Sequence, residues 1–139
     1  MAQATIYSGA TVQIGCLTRF IGAVSNAGTM QVYGGPTTFA LSVTNSASGI
    51  ILVTGSGATS VILTQGISNS GTFVVNGAGS SIQTSAGVSN NVGATFTVQL
   101  ANTISIQSLM NSGTMALTTA LGGVIFASTV SHWCLVRYF

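Results

Sequence analysis

The sequence predicts an all-β chain folded as a single-domain β-solenoid, a parallel β-helix of about six to seven coils with a repeat near 21 residues. Three observations predict it. The first is an apolar-x-Asn element that recurs as Val24-x-Asn26, Val43-x-Asn45, Ile67-x-Asn69, Val88-x-Asn90 and Leu109-x-Asn111. Val130-x-His132 continues the series, and the leading apolar residues are separated by 19, 24, 21, 21 and 21 residues. The second is that each Asn is followed by Gly and then by a run alternating apolar and polar, as a strand with one buried face requires. The third is an almost complete lack of charge: Lys and Arg total 2, Asp and Glu total 0, and there is 1 His.

At 139 residues the chain is one domain by size, spanning 1–139. Residues 1–22 form an irregular first coil, in which Gly9 opens an incomplete copy and Val12 and Ile14 face inward. The regular repeats occupy 23–130. Their corner glycines are Gly28, Gly49, Gly71, Gly93 and Gly113, at positions that need either positive φ or close backbone approach. The inward pairs after them are Met30/Val32, Ile51/Val53, Phe73/Val75, Phe96/Val98 and Met115/Leu117. Between them stand Thr29/Gln31, Thr72/Val74, Thr95/Thr97 and Thr114/Ala116, with Thr11/Gln13 in the first coil. A second strand follows in each repeat: "TTFALSV", "SVILT", "SIQTS", "TISIQS" and "GVIFAST". The longest repeat carries "TGSGATS" at 54–60 as an outward loop, and Asn76-Gly77 marks a turn across the coil from the Asn corner. One such coil cannot bury its apolar face alone, whereas stacked coils share a core. A sandwich or barrel of six hairpins alternates equally well. It gives no reason for Asn to return at one place in every repeat.

The segments "SNSGTFVVNG" and "MNSGTMAL" resemble the Asn-Ser-Gly-Thr corner repeats of filamentous-haemagglutinin-like and autotransporter-passenger β-helices. The resemblance covers residues from about 9 to 130 as a degenerate repeat. It implies a parallel β-helix used as a stalk, fibre or adhesive surface.

In-register stacking sets equivalent residues about 4.8 Å apart, so a repeated charge repels its own copies while a neutral amide bonds to them. Asn26, Asn45, Asn69, Asn90 and Asn111 are therefore expected to form an internal ladder of the kind that stabilises cross-β assemblies. His132 occupies the next position and ends it. A metal or catalytic role has no support, since the sequence contains no second His and no carboxylate side chain to ligate or orient. A Cys134–His132 nucleophile lacks a third group to activate it. No cofactor is expected. Two Arg residues, Arg19 and Arg137, cannot neutralise a phosphate backbone, so no nucleic-acid partner is expected either. No small-molecule substrate is expected, and the chain is not read as an enzyme.

Cys16 in the first coil and Cys134 in the last are too far apart in a straight solenoid to bridge within one chain. An intersubunit disulfide and two free thiols both remain open. The end segment 131–139, "SHWCLVRYF", departs most from the repeat. With Cys16, its Trp133, Cys134, Tyr138 and Phe139 are candidates for subunit contact. Neither end reads as a charged or helical cap, and an uncharged surface favours association. The sequence is therefore expected to encode a structural protein that polymerises with itself into a filament or fibre through β-edge stacking. An ice-binding or other flat-surface adhesive solenoid is the alternative, from Thr11, Thr29, Thr72, Thr95 and Thr114 at one register position. A small outer-membrane β-barrel is the third reading. Apolar runs are interrupted well before ~20 residues, so a membrane partner is not expected. The N-terminus lacks the basic and hydrophobic regions of a secretory signal. A cell-surface filament or a virus particle fits this composition best.

Overall fold

The computed structural model describes residues 3–15, 17–54, 60–76, 81–132 and 136–138, with side chains described as far as Ala116 except at 100–102 and 104. The chain is all-β, a parallel β-solenoid of about five turns at a spacing near 21 residues. The count is a little lower than the six to seven expected from the sequence.

Every strand pair among the described residues is parallel, and the pairs sort into three ladders along the stack. This topology excludes the antiparallel hairpin sandwich and the up-and-down barrel. The first ladder holds the Asn strands: β1 (Ala4–Ile6), β4 (Val24–Asn26), β7 (Val43–Asn45), β10 (Ile67–Asn69) and β13 (Val88–Asn90). It continues onto the last residues of β14 (Thr95–Asn111) and of β15 (Thr114–His132). The second ladder holds the Thr-led strands after each corner: β2 (Thr11–Ile14), β5 (Thr29–Val32), β8 (Ile50–Thr54) and β11 (Thr72–Asn76). The first residues of β14 and β15 extend it, and β16 (Val136–Tyr138) pairs beyond them. The third ladder is β3 (Thr18–Phe20), β6 (Thr37–Phe39), β9 (Ser60–Leu63) and β12 (Ser81–Thr84), followed by the middle of β14 and β15. Each coil thus carries three strands. In β14 and β15 they run together without a break, with register shifts between Val98 and Ala101 and between Ala101 and Thr103.

Parallel register puts like on like inside the core. The second ladder aligns Met30, Ile51, Phe73, Phe96 and Met115 in one inward column and Val32, Val53, Val75 and Val98 in the next. All of these are buried, as is Ile14. Phe73 and Phe96 stack with ring centroids 4.9 Å apart at 8°, and Phe20 and Phe39 on the third ladder do the same at 4.9 Å and 3°. The face-to-face geometry follows from register, because two equal rotamers one strand spacing apart have no room to be anything but parallel. Val12 is the exception to the expected core. It belongs to the Met30 column, yet it is 36% exposed while Met30 is fully buried. Alternation fixes which way a side chain points, but Val12 lies on an edge strand that pairs, among the described residues, only with β5. Leu117 lies in β15, its side chain outside the described residues.

Candidate functional site

The most distinctive chemistry in the fold is the corner that joins the first ladder to the second. Asn26, Asn45, Asn69, Asn90 and Asn111 fall in one register column and are each buried to within 1% exposure. Their amides form a chain: Asn26 Nδ2 donates to Asn45 Oδ1 at 2.8 Å, Asn45 to Asn69 at 2.8 Å, Asn69 to Asn90 at 2.8 Å and Asn90 to Asn111 at 2.7 Å. Backbone carbonyls fix the direction. Asn45 Nδ2 also donates to Gly49 O at 3.1 Å and Thr72 O at 3.1 Å, and Asn69 Nδ2 to Gly71 O at 3.2 Å and Thr95 O at 3.0 Å. Only the NH₂ end of each amide tolerates that carbonyl environment, so Asn26, Asn45, Asn69 and Asn90 all donate toward the following coil.

The polarity exposes the start of the ladder. Asn26 Oδ1 is buried with no hydrogen-bond partner. The coil before it offers Ile6, in register with Asn26, and the Ile6 side chain has no donor. Composition marks the five Asn residues but not this sixth member, although its 20-residue distance from Asn26 fits the repeat. At the other end Asn111 pairs through the backbone with His132, whose side chain lies outside the described residues.

The corner also alternates in length. Three corners, after Ile6, Asn45 and Asn90, contain four residues before the next strand: 7–10, 46–49 and 91–94. Each is closed by a turn bond: Ala10 N to Tyr7 O at 3.0 Å, Gly49 N to Ser46 O at 2.9 Å and Ala94 N to Asn91 O at 3.0 Å. The corners after Asn26, Asn69 and Asn111 contain two residues each, Ala27-Gly28, Ser70-Gly71 and Ser112-Gly113. A Cβ on Gly71 would run into the carbonyl oxygens of Ser46 and Gly49, the first and last residues of the turn in the preceding coil; Gly28 and Gly113 sit over their own preceding turns in the same way. Close approach is therefore what these glycines supply. Gly93 differs: it has φ +80 with nothing within 4 Å, one residue before the register position that Ala94 fills. Gly9, at φ +79, matches it. The two reasons expected for a corner glycine thus belong to different glycines. Gly49 shares the close-approach class, with its Cβ position against Asn45 Oδ1 and Asn26 O. Backbone bonds run through the corners as well, from Ala27 N to Ile6 O at 2.7 Å through Ser70 N to Asn45 O at 2.8 Å to Ser112 N to Asn90 O at 2.7 Å.

On the outer face of the second ladder, Thr11, Thr29, Thr72, Thr95 and Thr114 align in register, interrupted by Ile50. The companion column reads Gln13, Gln31, Leu52, Val74, Thr97 and Ala116. Gln13 Nε2 donates to Gln31 Oε1 at 3.3 Å, and Gln31 Nε2 to Thr54 Oγ1 at 3.3 Å. A shallow groove of about 290 Å³ follows the outer face of the first ladder, lined by Ser42, Thr44, Gln65, Ser68, Ser89 and Met110 among others. Every side chain lining it is neutral, so it holds no general acid or base. Cys16, Trp133, Cys134, Phe139, Gly77 and residues 55–59 of the expected outward loop lie outside the described residues. Tyr138 is placed by its backbone alone, opposite Leu117. Comparison with protein-family models, curated proteins and solved structures found no match.

Proposed function

We propose that the chain is a non-enzymatic structural subunit that polymerises with itself end to end, the coils of one copy continuing the stack of the next. One observation carries this reading. Among the described residues β1, β2 and β3 each pair on one side only, so the first described coil presents three parallel strand edges available to a further strand. That edge is also where large apolar residues come to the surface. Val12, Tyr7, Leu17 and Ile21 are all exposed there. The corner positions equivalent to Leu17 in later coils hold Pro36, Ser60 and Ser81, and those equivalent to Ile21 hold Ala40, Thr64 and Ser85. Protected edge strands carry Lys, Pro or a covering element. This edge carries one cation, Arg19, on an outward position of β3, and no described residue covers it.

A neutral, in-register subunit meets its neighbour without like-charge repulsion, and backbone hydrogen bonding with a dry core supplies the cohesion. With no Asp or Glu side chain to protonate, the assembly depends little on pH. Purified protein is expected to sediment as a polymer from about pH 3 to 10 and to show filaments by negative-stain electron microscopy. A stable monomer at every concentration would overturn the proposal.

The Thr column on the second ladder supports a second reading, a flat adhesive face of the ice-binding kind. Ile50 and the mixed Gln, Leu, Val and Ala companions weigh against it. A thermal-hysteresis assay separates the two, since the structural reading expects none.

A further inference from the structure

We propose that the alternating corner is a lateral seam, along which two copies of this chain pair side by side. The four-residue turns stand out from the stack every second coil, about 9.6 Å apart at two strand spacings. Between them the two-residue corners are recessed, with Gly28, Gly71 and Gly113 buried. The tips are uncharged and partly apolar: Val92 is 84% exposed and Tyr7 73%. They are also held in place. Ser48 Oγ donates to Ala27 O at 2.9 Å and Asn91 Nδ2 to Ser70 Oγ at 2.8 Å, pinning two of the turns to the short corner of the coil before. Knobs that are already rigid lose little conformational freedom on docking.

The occupant is set by the period. A ridge with one knob and one recess every two strand spacings is complementary to another ridge of the same period, and this corner supplies one. An antiparallel two-fold pair in full overlap, the first corner of one copy facing the sixth of the other, places all three turns of each copy in recesses of the other. In that arrangement Val92 of one copy lands at the Gly28 corner of the other, beside its Tyr7, and the reciprocal contact forms at the opposite end. The apolar tips that face water in one chain are then covered together. This contact does not require end-to-end stacking, and a seam of either kind can exist without the other.

The test uses the full chain with Val92→Lys and, separately, Tyr7→Lys, against Gln83→Lys as a control on the exposed outer face of the third ladder. Circular dichroism establishes that each variant keeps its β fold. Mass per unit length, from scanning transmission electron microscopy, is expected to fall two-fold in V92K and Y7K and to stay unchanged in Q83K, with filament length unaffected in V92K, whose turn lies away from the first-coil edge. If wild type forms discrete dimers that V92K and Y7K dissociate in sedimentation runs, the lateral seam stands and end-to-end stacking fails. Long filaments of single-chain width in wild type overturn the seam and leave the stacking. Unchanged mass per length in both lysine variants overturns it as well.

Discussion

Replacing Asn69 by Leu tests whether the buried amide chain stabilises the stack or merely fits within it. The change removes four bonds, those to Asn45, Asn90, Gly71 and Thr95. Asn45 Nδ2 keeps the carbonyls of Gly49 and Thr72. Asn90 Oδ1 loses its donor while staying buried. An orphaned buried acceptor costs about 1–3 kcal/mol, and two lost bonds of good geometry cost about 1 kcal/mol each. The leucine recovers roughly 1–2 kcal/mol through apolar burial. The net loss is about 3 kcal/mol, or roughly 10 °C in Tm at ~3–4 °C per kcal/mol for a chain of this size. Asn26→Leu is the internal comparison. It orphans Asn45 Oδ1 and gives up the bond to Ile50 O, but it also removes an acceptor that already has no partner and gains the same leucine burial, so it should cost at most about 1 kcal/mol. The assay is guanidinium denaturation followed by far-UV circular dichroism, at one protein concentration so that association is common to all variants. Equal losses for the two variants, or losses below ~0.5 kcal/mol for both, would refute a directional ladder.

Asn69→Asp puts a carboxyl against Asn90 Oδ1, Gly71 O and Thr95 O, all acceptors, which favour its protonated form. Its folded-state pKa then lies above the unfolded value of about 3.9. The deficit against wild type should therefore be smallest below about pH 4 and grow as pH rises through the folded-state pKa, as thermal melts across pH will show. Wild type, without a carboxylate side chain, should melt at nearly constant temperature between about pH 3 and 5. Gly71→Ala drives a Cβ into two backbone carbonyls and should cost about 3 kcal/mol, whereas Gly93→Ala, strained in φ but unobstructed, should cost about 1 kcal/mol; denaturant midpoints of the pair test the division of the corner glycines. Thr37→Val removes a buried hydroxyl without a partner, beside Val61 in register, and should raise stability by about 1 kcal/mol, read as a higher Tm.

The parts of the fold that the sequence makes legible are those that each coil must solve in the same way. Asn recurs because a neutral amide both donates to one copy of itself and accepts from the other, so residue identity itself reports the register. The third ladder was visible only as a loose second strand, because Thr37 and Thr84 occupy buried positions and Thr serves both faces of a strand. Val12 reads as core from alternation alone; its exposure is an end effect that no local pattern contains. Ile6 was missed as the first member of the ladder column because an apolar residue gives no chemical mark of a polar ladder. The two corner lengths were present in the spacing from Asn45 to Ile50 and from Asn69 to Thr72. Aligning on glycine hid them, since Gly93 is a turn residue while Gly71 is a close-approach residue. The site was therefore legible as a ladder but not as an alternating ridge.

Oriented fibre diffraction of the assembled protein tests the central claim most directly, because it reports the coil spacing and the direction of stacking together. If coils stack along the filament through open first-coil edges, a sharp reflection near ~4.8 Å falls on the meridian. A 4.8 Å reflection confined to the equator, or a preparation that yields only monomers and no orientable fibre, would contradict it.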